Sequence, residues 1–197
     1  MKSINVQNIR IAKITEKAAS GYTYSEPVLV AGAMKISEVP TPAEGELYED
    51  GKLSERIAQV TGYELAMDIS RLPNDIRQYI NGKTYNGGVE TDDGACEPGA
   101  FAIGWETEYV VKGKVYKEMI WYIDCLAKPI EKQAEQRQKD IKIGNSTVNI
   151  TAFKTSAYAD RAYVMIDTAD ESVTEDMIKN FFSMVQTGTT ITAATEE

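Results

Sequence analysis

This chain of 197 residues contains no histidine. Histidine is the commonest general base, the commonest zinc ligand and the usual partner of a serine or cysteine nucleophile. Its absence removes the familiar machinery of hydrolases and zinc sites. The two cysteines, Cys96 and Cys125, are too far apart to fit a metal or redox spacing. Cys125 falls in an apolar strand pattern, where we expect a buried, unreactive thiol.

Long apolar runs are missing as well. No segment approaches the roughly 18 apolar residues that a membrane-spanning helix requires. Residues 1–10 lack the apolar core of a signal peptide. The sequence therefore predicts a protein that is made and kept in a cytoplasm and has no membrane partner.

Positive charge is scarce, with 21 basic against 30 acidic residues and a net charge of −9. An acidic surface repels phosphates and disfavours tight binding to nucleic acid, although nucleic acid could pass such a surface without sticking. The length suits one domain, which we place at residues 1–188, followed by a flexible tail at 189–197. A chain of this size buries a core without help from a metal or a disulfide.

Two stretches resemble ligand-binding motifs, but their residue spacing does not match those motifs. Gly82-Lys83-Thr84 resembles the end of a phosphate-binding loop, but the first glycine of that motif would fall at Arg77. The acidic residues between positions 90 and 97 do not match a calcium loop, which would need a carboxylate where Phe101 stands. We interpret both stretches as turns. No residue is therefore assigned to catalysis, to a cofactor or to a metal.

Most apolar residues alternate with polar ones, which predicts β-strands. Tyr63, Leu65, Met67 and Ile69 form one such half-buried face. Residues 101–105 and 119–126 predict a hairpin that turns at Lys112-Gly113-Lys114. Its second strand is apolar on both faces, which is typical of a covered central strand. Met119, Trp121, Ile123 and Cys125 lie on one face, and Ile120, Tyr122 and Leu126 lie on the other. Core packing is the role favoured for Trp105, Trp121 and Tyr122.

Two helices are predicted beside these strands. Pro73 and Gly82 bound a helix of about two turns. Thr174 is an N-cap for a second helix that we extend to about Gln186, with Phe181 on its apolar face. The fold class is therefore mainly β (α+β), with a short flanking helix and a C-terminal helix.

Two charged segments have no clear periodicity. Propensity favours a helix for residues 131–142, although no apolar stripe would dock it, and a solvated extended edge is the alternative. Residues 47–56 hold two leucines, a tyrosine and five charges around Gly51. Such a long loop, which we place at about 40–57, is unusual unless it carries function or is held by another chain.

The order of short motifs resembles the major tail proteins of long-tailed bacteriophages and prophages. The resemblance extends to about residue 155 and rests on an ordered set of motifs: Gly21-Tyr22, Pro27-Val28, Gly32-Ala33-Met34-Lys35-Ile36, Leu47-Tyr48-Glu49-Asp50-Gly51, Asp68-Ile69-Ser70-Arg71-Leu72-Pro73, Gly82-Lys83, Asn86-Gly87, Ala102-Ile103-Gly104-Trp105, Trp121-Tyr122 and Lys128-Pro129. The chain departs from the family in lacking a histidine near Gly82. It also has Ile123-Asp124-Cys125 where the family commonly has a lysine-glycine pair.

The resemblance implies a tail-tube subunit with a β-sandwich or barrel-like fold. Such subunits form hexameric rings that stack into a hollow tube, through which phage DNA passes into the host. The implied partners are copies of the same chain and the tape-measure and tail-terminator proteins, and the implied locations are the virion and, during assembly, the host cytoplasm. The long loop would clasp an adjacent ring. Its expected self-association residues are Leu47, Tyr48, Glu49, Asp50, Leu53 and Arg56.

For residues 131–142, the resemblance favours the extended alternative. Other functions stay open at this point. A tube subunit of a contractile tail or injection device would share the fold. A small-ligand-binding β-barrel would instead use its aromatic residues to line a pocket, and paired carboxylates alone can hydrolyse glycosidic bonds.

Overall fold

The computed structural model of the chain describes residues 3–49, 52–70, 72–92, 97–129 and 146–188. These residues confirm the predicted mainly β (α+β) class. The strands are β1 (Ser3–Ala18), β2 (Gly21–Tyr24), β3 (Val28–Leu29), β4 (Ala33–Glu49), β5 (Lys52–Ile69), β6 (Thr84–Asn86), β7 (Val89–Thr91), β8 (Phe101–Val111), β9 (Lys114–Ala127), β10 (Ser146–Phe153) and β11 (Tyr163–Asp167). The α-helices are α1 (Asn74–Asn81) and α2 (Glu175–Asn180), and Ser156–Tyr158 form one turn of 3-10 helix.

One large antiparallel sheet contains all strands except the β6–β7 hairpin. Its strand order is β2-β1-β8-β9-β10-β5-β4. β9 pairs with β8 along one edge, and along its other edge it pairs first with β11 and then with β10. The sheet therefore divides at β9, and the β10-β5-β4 half turns away from β11. Val6 of β1 and Ile36 of β4 line the same cavity, so the sheet curls back on itself as a sandwich.

The main core fills the space inside this curled sheet. The predicted apolar face of β5 lies in it, since Leu65, Met67 and Ile69 are all buried. α1 closes part of the same core with Ile76 and Ile80. Further buried residues of this core come from β1, β8, β9 and β10: Ile9, Ile11, Phe101, Ile103, Trp105, Ile120, Tyr122, Val148 and Ile150.

A second, smaller core lies on the opposite face of β8 and β9. Met119 and Trp121 pack there against Phe181, Phe182 and Val185 of the C-terminal segment. Both faces of β9 are thus buried from Met119 to Cys125, as predicted for a covered central strand. The predicted covered position of Leu126 is wrong, because this side chain is 37% exposed. The predicted role of the two tryptophans and Tyr122 in core packing is also confirmed.

The predicted face of Cys125 is wrong. The sequence placed its thiol with Trp121, but it lies in the main core with Tyr122. The cause is a register shift between β8 and β9, in which Phe101 pairs with Cys125 while Ile103 pairs with Tyr122. The extra residue on β9 reverses the alternation beyond that point. The prediction of a buried thiol is confirmed, and burial raises the pKa of Cys125 well above its usual range.

Helix α1 follows the predicted signals. Pro73 immediately precedes it, and Gly82 ends it in the left-handed conformation, with φ of 61°. A Cβ atom at position 82 would lie only 2.5 Å from the Glu97 carbonyl carbon. Glycine is therefore required there for the turn and for the close approach of the next segment.

Helix α2 is shorter than predicted. Thr174 caps it as expected, since its hydroxyl accepts a hydrogen bond from the Met177 amide. The helix ends at Asn180 and does not continue to Gln186. The Trp121 indole and the Gln186 side chain both donate to the Phe181 carbonyl, at 2.9 and 3.3 Å. Side chains thus satisfy the Phe181 carbonyl, which a backbone amide would have satisfied in a longer helix. The chain beyond Asn180 then places Phe181, Phe182 and Val185 against the sheet.

Two sequence predictions fall outside the described residues. The conformation expected for 131–142 belongs to the interval 130–145, and the expected tail comprises 189–197. Both stay predictions. Among the described residues, nine strands form one sheet with two adjoining cores, and β6 and β7 form a separate hairpin.

Candidate assembly surface

The segment predicted as a long loop at 40–57 is a β-hairpin in the structure, so that local prediction is wrong. β4 and β5 pair continuously from Ala33↔Ile69 to Glu49↔Lys52. Pro40 and Pro42 both lie within β4. β4 has no second neighbour along this stretch of the described sheet. An edge strand tolerates proline at positions where no amide has to donate to a neighbour.

The distal part of this hairpin projects beyond the sheet. β10 pairs with β5 only from Gly62 to Ile69, so residues 41–49 and 52–60 have no third strand among the described residues. We call this part the distal ribbon. From the Thr41↔Gly62 pair to the Glu49↔Lys52 pair, β4 advances about 27 Å, at about 3.4 Å per residue for an antiparallel strand. Residues 41–45 and 58–59 are exposed.

The base of the distal ribbon is fixed to the sheet. Lys128 Nζ and Thr151 Oγ1 donate hydrogen bonds to the Glu64 carboxylate, at 2.8 and 3.1 Å. Gly62 packs so closely that a Cβ atom there would lie 2.8 Å from the Ala152 carbonyl oxygen. The β4–β5 register also shifts here, between Thr41 and Pro42. The close packing of β5 against β10 thus ends where the ribbon begins.

The structure places five of the six predicted self-association residues on the backbone of the distal ribbon. Tyr48 pairs with Leu53 at its far end, Leu47 pairs with Glu55, and Arg56 pairs with Glu46. Glu49 is the last residue of β4. Asp50 lies outside the described residues. The pairing brings residues separated in sequence to one end of the ribbon, which the sequence did not predict.

The charge of the distal ribbon is mixed but mainly acidic. Positions 41–60 include five acidic and two basic residues. Charged residues on an edge strand discourage indiscriminate edge-to-edge pairing. They also favour partners whose charges are arranged in complement, which affects encounter rate and register more than affinity.

A separate polar cluster lies on the outer face of β1, β8 and β9. Glu106 is buried there, and its carboxylate accepts hydrogen bonds from Gln7 Nε2 at 2.6 Å and from Lys117 Nζ at 3.1 Å. A similar pair joins Lys17 Nζ to Asp124 at 2.7 Å, and Asp124 is also buried. Gln7 lies 99 residues from Glu106, and Lys17 lies 107 residues from Asp124, so local periodicity could not reveal these two contacts. Each satisfies a charge within the fold, so we assign these residues to stability.

The described residues contain no group of three or more His, Cys, Asp or Glu residues that could hold a metal ion. Within the same residues, no helix is long and apolar enough to cross a membrane. Neither protein-family models nor the curated proteins show a match to this chain.

Proposed function

We propose that this chain is a structural virion protein, a phage major tail protein that polymerises as stacked hexameric rings into a tail tube. The observation that carries the proposal is the distal ribbon. A two-stranded hairpin is marginally stable by itself in water, and a third strand or a packing surface stabilises it. A ribbon about 27 Å long that projects from a packed sandwich suits contact with another subunit.

The expected self-association residues fit this role. In the proposed contact, apolar and aromatic side chains near the end of the ribbon are the buried anchors, and the surrounding charges set the register. The anchors are Leu47, Tyr48 and Leu53. The residues that set the register are Glu49, Asp50 and Arg56.

The acidic net charge of the chain suits a tube through which DNA passes. A chain with a net charge of −9 gives a polymer whose surfaces repel DNA phosphates, so that DNA passes without binding. A structural polymer needs no cofactor. Its other partners would be the tape-measure and tail-terminator proteins, and its place would be the virion tail after assembly in the host cytoplasm.

The test shortens the ribbon at a register that the structure defines. Residues 44–58 are replaced by Asn-Gly, which joins the paired residues Ala43 and Gln59 through a two-residue hairpin turn. We expect an almost unchanged melting temperature, because the packed sheet begins at Gly62. Tube formation should be lost, because the proposed anchors are gone. Electron microscopy and thermal unfolding of the same preparation measure both quantities.

A matched control changes the other long hairpin. Lys112 already has a positive φ of 50° ahead of Gly113, so K112N places the same Asn-Gly turn between β8 and β9 without removing strand residues. The control should keep both stability and tubes. Normal tubes from the shortened protein would contradict the proposed role of the ribbon. A wild-type protein that remains a compact monomer under all assembly conditions would contradict the proposed function itself.

A further inference from the structure

Two Asn-Gly dipeptides occur in the chain, and the fold holds them in opposite settings. Asn81-Gly82 ends helix α1, and Asn86-Gly87 lies at the turn of the β6–β7 hairpin. In an Asn-Gly dipeptide the backbone nitrogen of the glycine can attack the asparagine side chain with little obstruction, because glycine has no Cβ atom. The two sites therefore share one chemistry and differ in the structure around them.

The Asn86-Gly87 site is open. Asn86 pairs with Val89 across a two-residue turn, in which Gly87 and Gly88 have φ of 57° and 89°. A Cβ atom on either glycine would meet nothing within 4 Å in the described structure. Asn86 is exposed, and neither its side-chain amide nor the Gly87 backbone amide is hydrogen-bonded within the part of the chain that the structure describes. Both reacting groups are thus accessible.

The strands that hold this turn are short. β6 and β7 contain three residues each and form a sheet of their own, separate from the large one. A two-stranded hairpin is only marginally stable, and its turn opens at a low cost in free energy. The Asn86 backbone can therefore rotate until the Gly87 nitrogen reaches the side-chain carbonyl carbon. Neither core is disturbed by this motion, since no described residue of β6 or β7 belongs to them.

The Asn81-Gly82 site is closed. The Gly82 amide donates a hydrogen bond to the Tyr79 carbonyl at 3.3 Å. The Glu97 backbone packs directly against Gly82, so that a Cβ atom there would lie 2.5 Å from the Glu97 carbonyl carbon. Rotation of the Asn81 backbone would break this hydrogen bond and drive the chain into the packed segment. The same reaction at Asn81 therefore requires the end of α1 to unfold.

We propose that Asn86 is a site of spontaneous deamidation through a cyclic imide, and that the fold protects Asn81 from the same reaction. The Gly87 nitrogen attacks the Asn86 Cγ atom, and the new N–Cγ bond closes a succinimide ring. The Cγ–Nδ2 bond breaks, and the side-chain nitrogen leaves as ammonia with the proton that the Gly87 nitrogen loses. Water then adds to one of the two imide carbonyls and opens the ring to aspartate or to isoaspartate.

The products change the turn and spare the sandwich. Either product adds one negative charge, and isoaspartate also adds a methylene group to the main chain. A main chain lengthened in this way no longer fits a two-residue turn between positions 86 and 89. The large sheet does not include β6 or β7, so the modified chain keeps its sandwich. The modification does not depend on tube formation.

The test incubates the full chain in mildly alkaline buffer and measures deamidation at each asparagine by tryptic digestion and mass spectrometry. Trypsin cleaves after Lys83, so Asn81 and Asn86 fall in separate peptides. In the folded chain, Asn86 should react at least about tenfold faster than Asn81, because only Asn81 needs a packed helix end to open. In denaturant, the two rates should agree within about twofold, because both dipeptides then belong to an unfolded chain.

The matched control variant is N86Q. It keeps a neutral amide, but the longer side chain would have to close a larger ring, so modification at position 86 should disappear while the rate at Asn81 stays unchanged. Labelling by an isoaspartate methyltransferase identifies the cyclic route, because direct hydrolysis gives only aspartate.

Three results would overturn the proposal. The first is equal rates at Asn81 and Asn86 in the folded chain. The second is an unmodified Asn86 in the folded chain over a period in which the denatured chain reacts. The third is a product at position 86 that contains no isoaspartate. Because single chains are measured, each of these results is distinct from a failure to form tubes.

Discussion

The two halves of strand β5 belong to the same hairpin and have opposite environments. From Gly62 to Ile69, the strand lies between β4 and β10, and Leu65, Met67 and Ile69 are buried. From Lys52 to Val60, it pairs with β4 alone, and no third strand is present among the described residues. The pairing of β4 with β5 is common to both halves. The half of β5 with a third strand beside it and a core beneath it is a stable part of the sheet. The half without them is available to other molecules.

This comparison predicts the largest effect for the buried C-terminal segment. Phe181 is 2% exposed and packs against Phe182, with ring centroids 5.2 Å apart. F181A should lower the free energy of unfolding by about 3–5 kcal/mol, through lost burial and the cavity that remains. Chemical denaturation measures this change.

The control for F181A lies three residues further along the same segment. Met184 is 53% exposed, so M184A should change the free energy of unfolding by less than about 0.5 kcal/mol. Equal effects of the two substitutions would show that the segment does not pack on the sheet as described.

Two glycines of the same hairpin test the boundary between sheet and ribbon directly. G62A introduces a Cβ atom 2.8 Å from the Ala152 carbonyl oxygen and should destabilise the fold by about 1–3 kcal/mol. G45A lies in the distal ribbon, where a Cβ atom would meet nothing within 4 Å in the described structure. It should be neutral or slightly stabilising, because alanine restricts the unfolded chain more than glycine does. A destabilising G45A together with a neutral G62A would reverse our assignment of the boundary.

A smaller effect on stability is expected at high pH, from Tyr109 in the sandwich. Tyr109 donates a hydrogen bond of 2.5 Å to Asp167, and this bond, together with burial, raises the pKa of Tyr109 to about 12. An unfolded tyrosine titrates near 10. The contribution of Tyr109 to stability should thus be complete below about pH 10 and be lost as the pH rises towards 12.

The variant Y109F removes this hydroxyl. It should be less stable than the wild type at pH 8, and its stability should fall less steeply between about pH 10 and pH 12. Y116F changes the stacked neighbour and keeps the Tyr109–Asp167 bond, so it serves as the control. Denaturant titrations at several pH values measure both slopes, and identical slopes for the wild type and Y109F would contradict the assignment.

Much of the sandwich was predictable because burial leaves a local pattern. The face of β5 from Leu65 to Ile69, the double burial of β9 and the N-cap at Thr174 are each encoded within a few adjacent residues. The distal ribbon left no such pattern. Its described residues pair only with each other and have no third strand beside them, so apolar and polar residues need not alternate and the composition resembles that of a loop.

Other features depended on partners far away in sequence. Helix α2 ends early because Trp121 and Gln186 donate to the Phe181 carbonyl, although the helical pattern continues. The Cys125 side chain changes face because of the register between β8 and β9. Glu38 and Glu118 meet at one cavity only because the sheet curls. No local window contains both members of such pairs.

The sequence by itself determined the mainly β class, the acidic surface, the buried faces of the central strands and the residue that starts each helix. Each of these depends on the properties of neighbouring residues, which strand and helix geometry repeats at fixed periods. The tertiary structure decided where β5 loses its third strand, where α2 ends and which side chains surround the cavity. Those outcomes depend on which distant strands become neighbours, and pairing across a sheet is chosen by the fold as a whole.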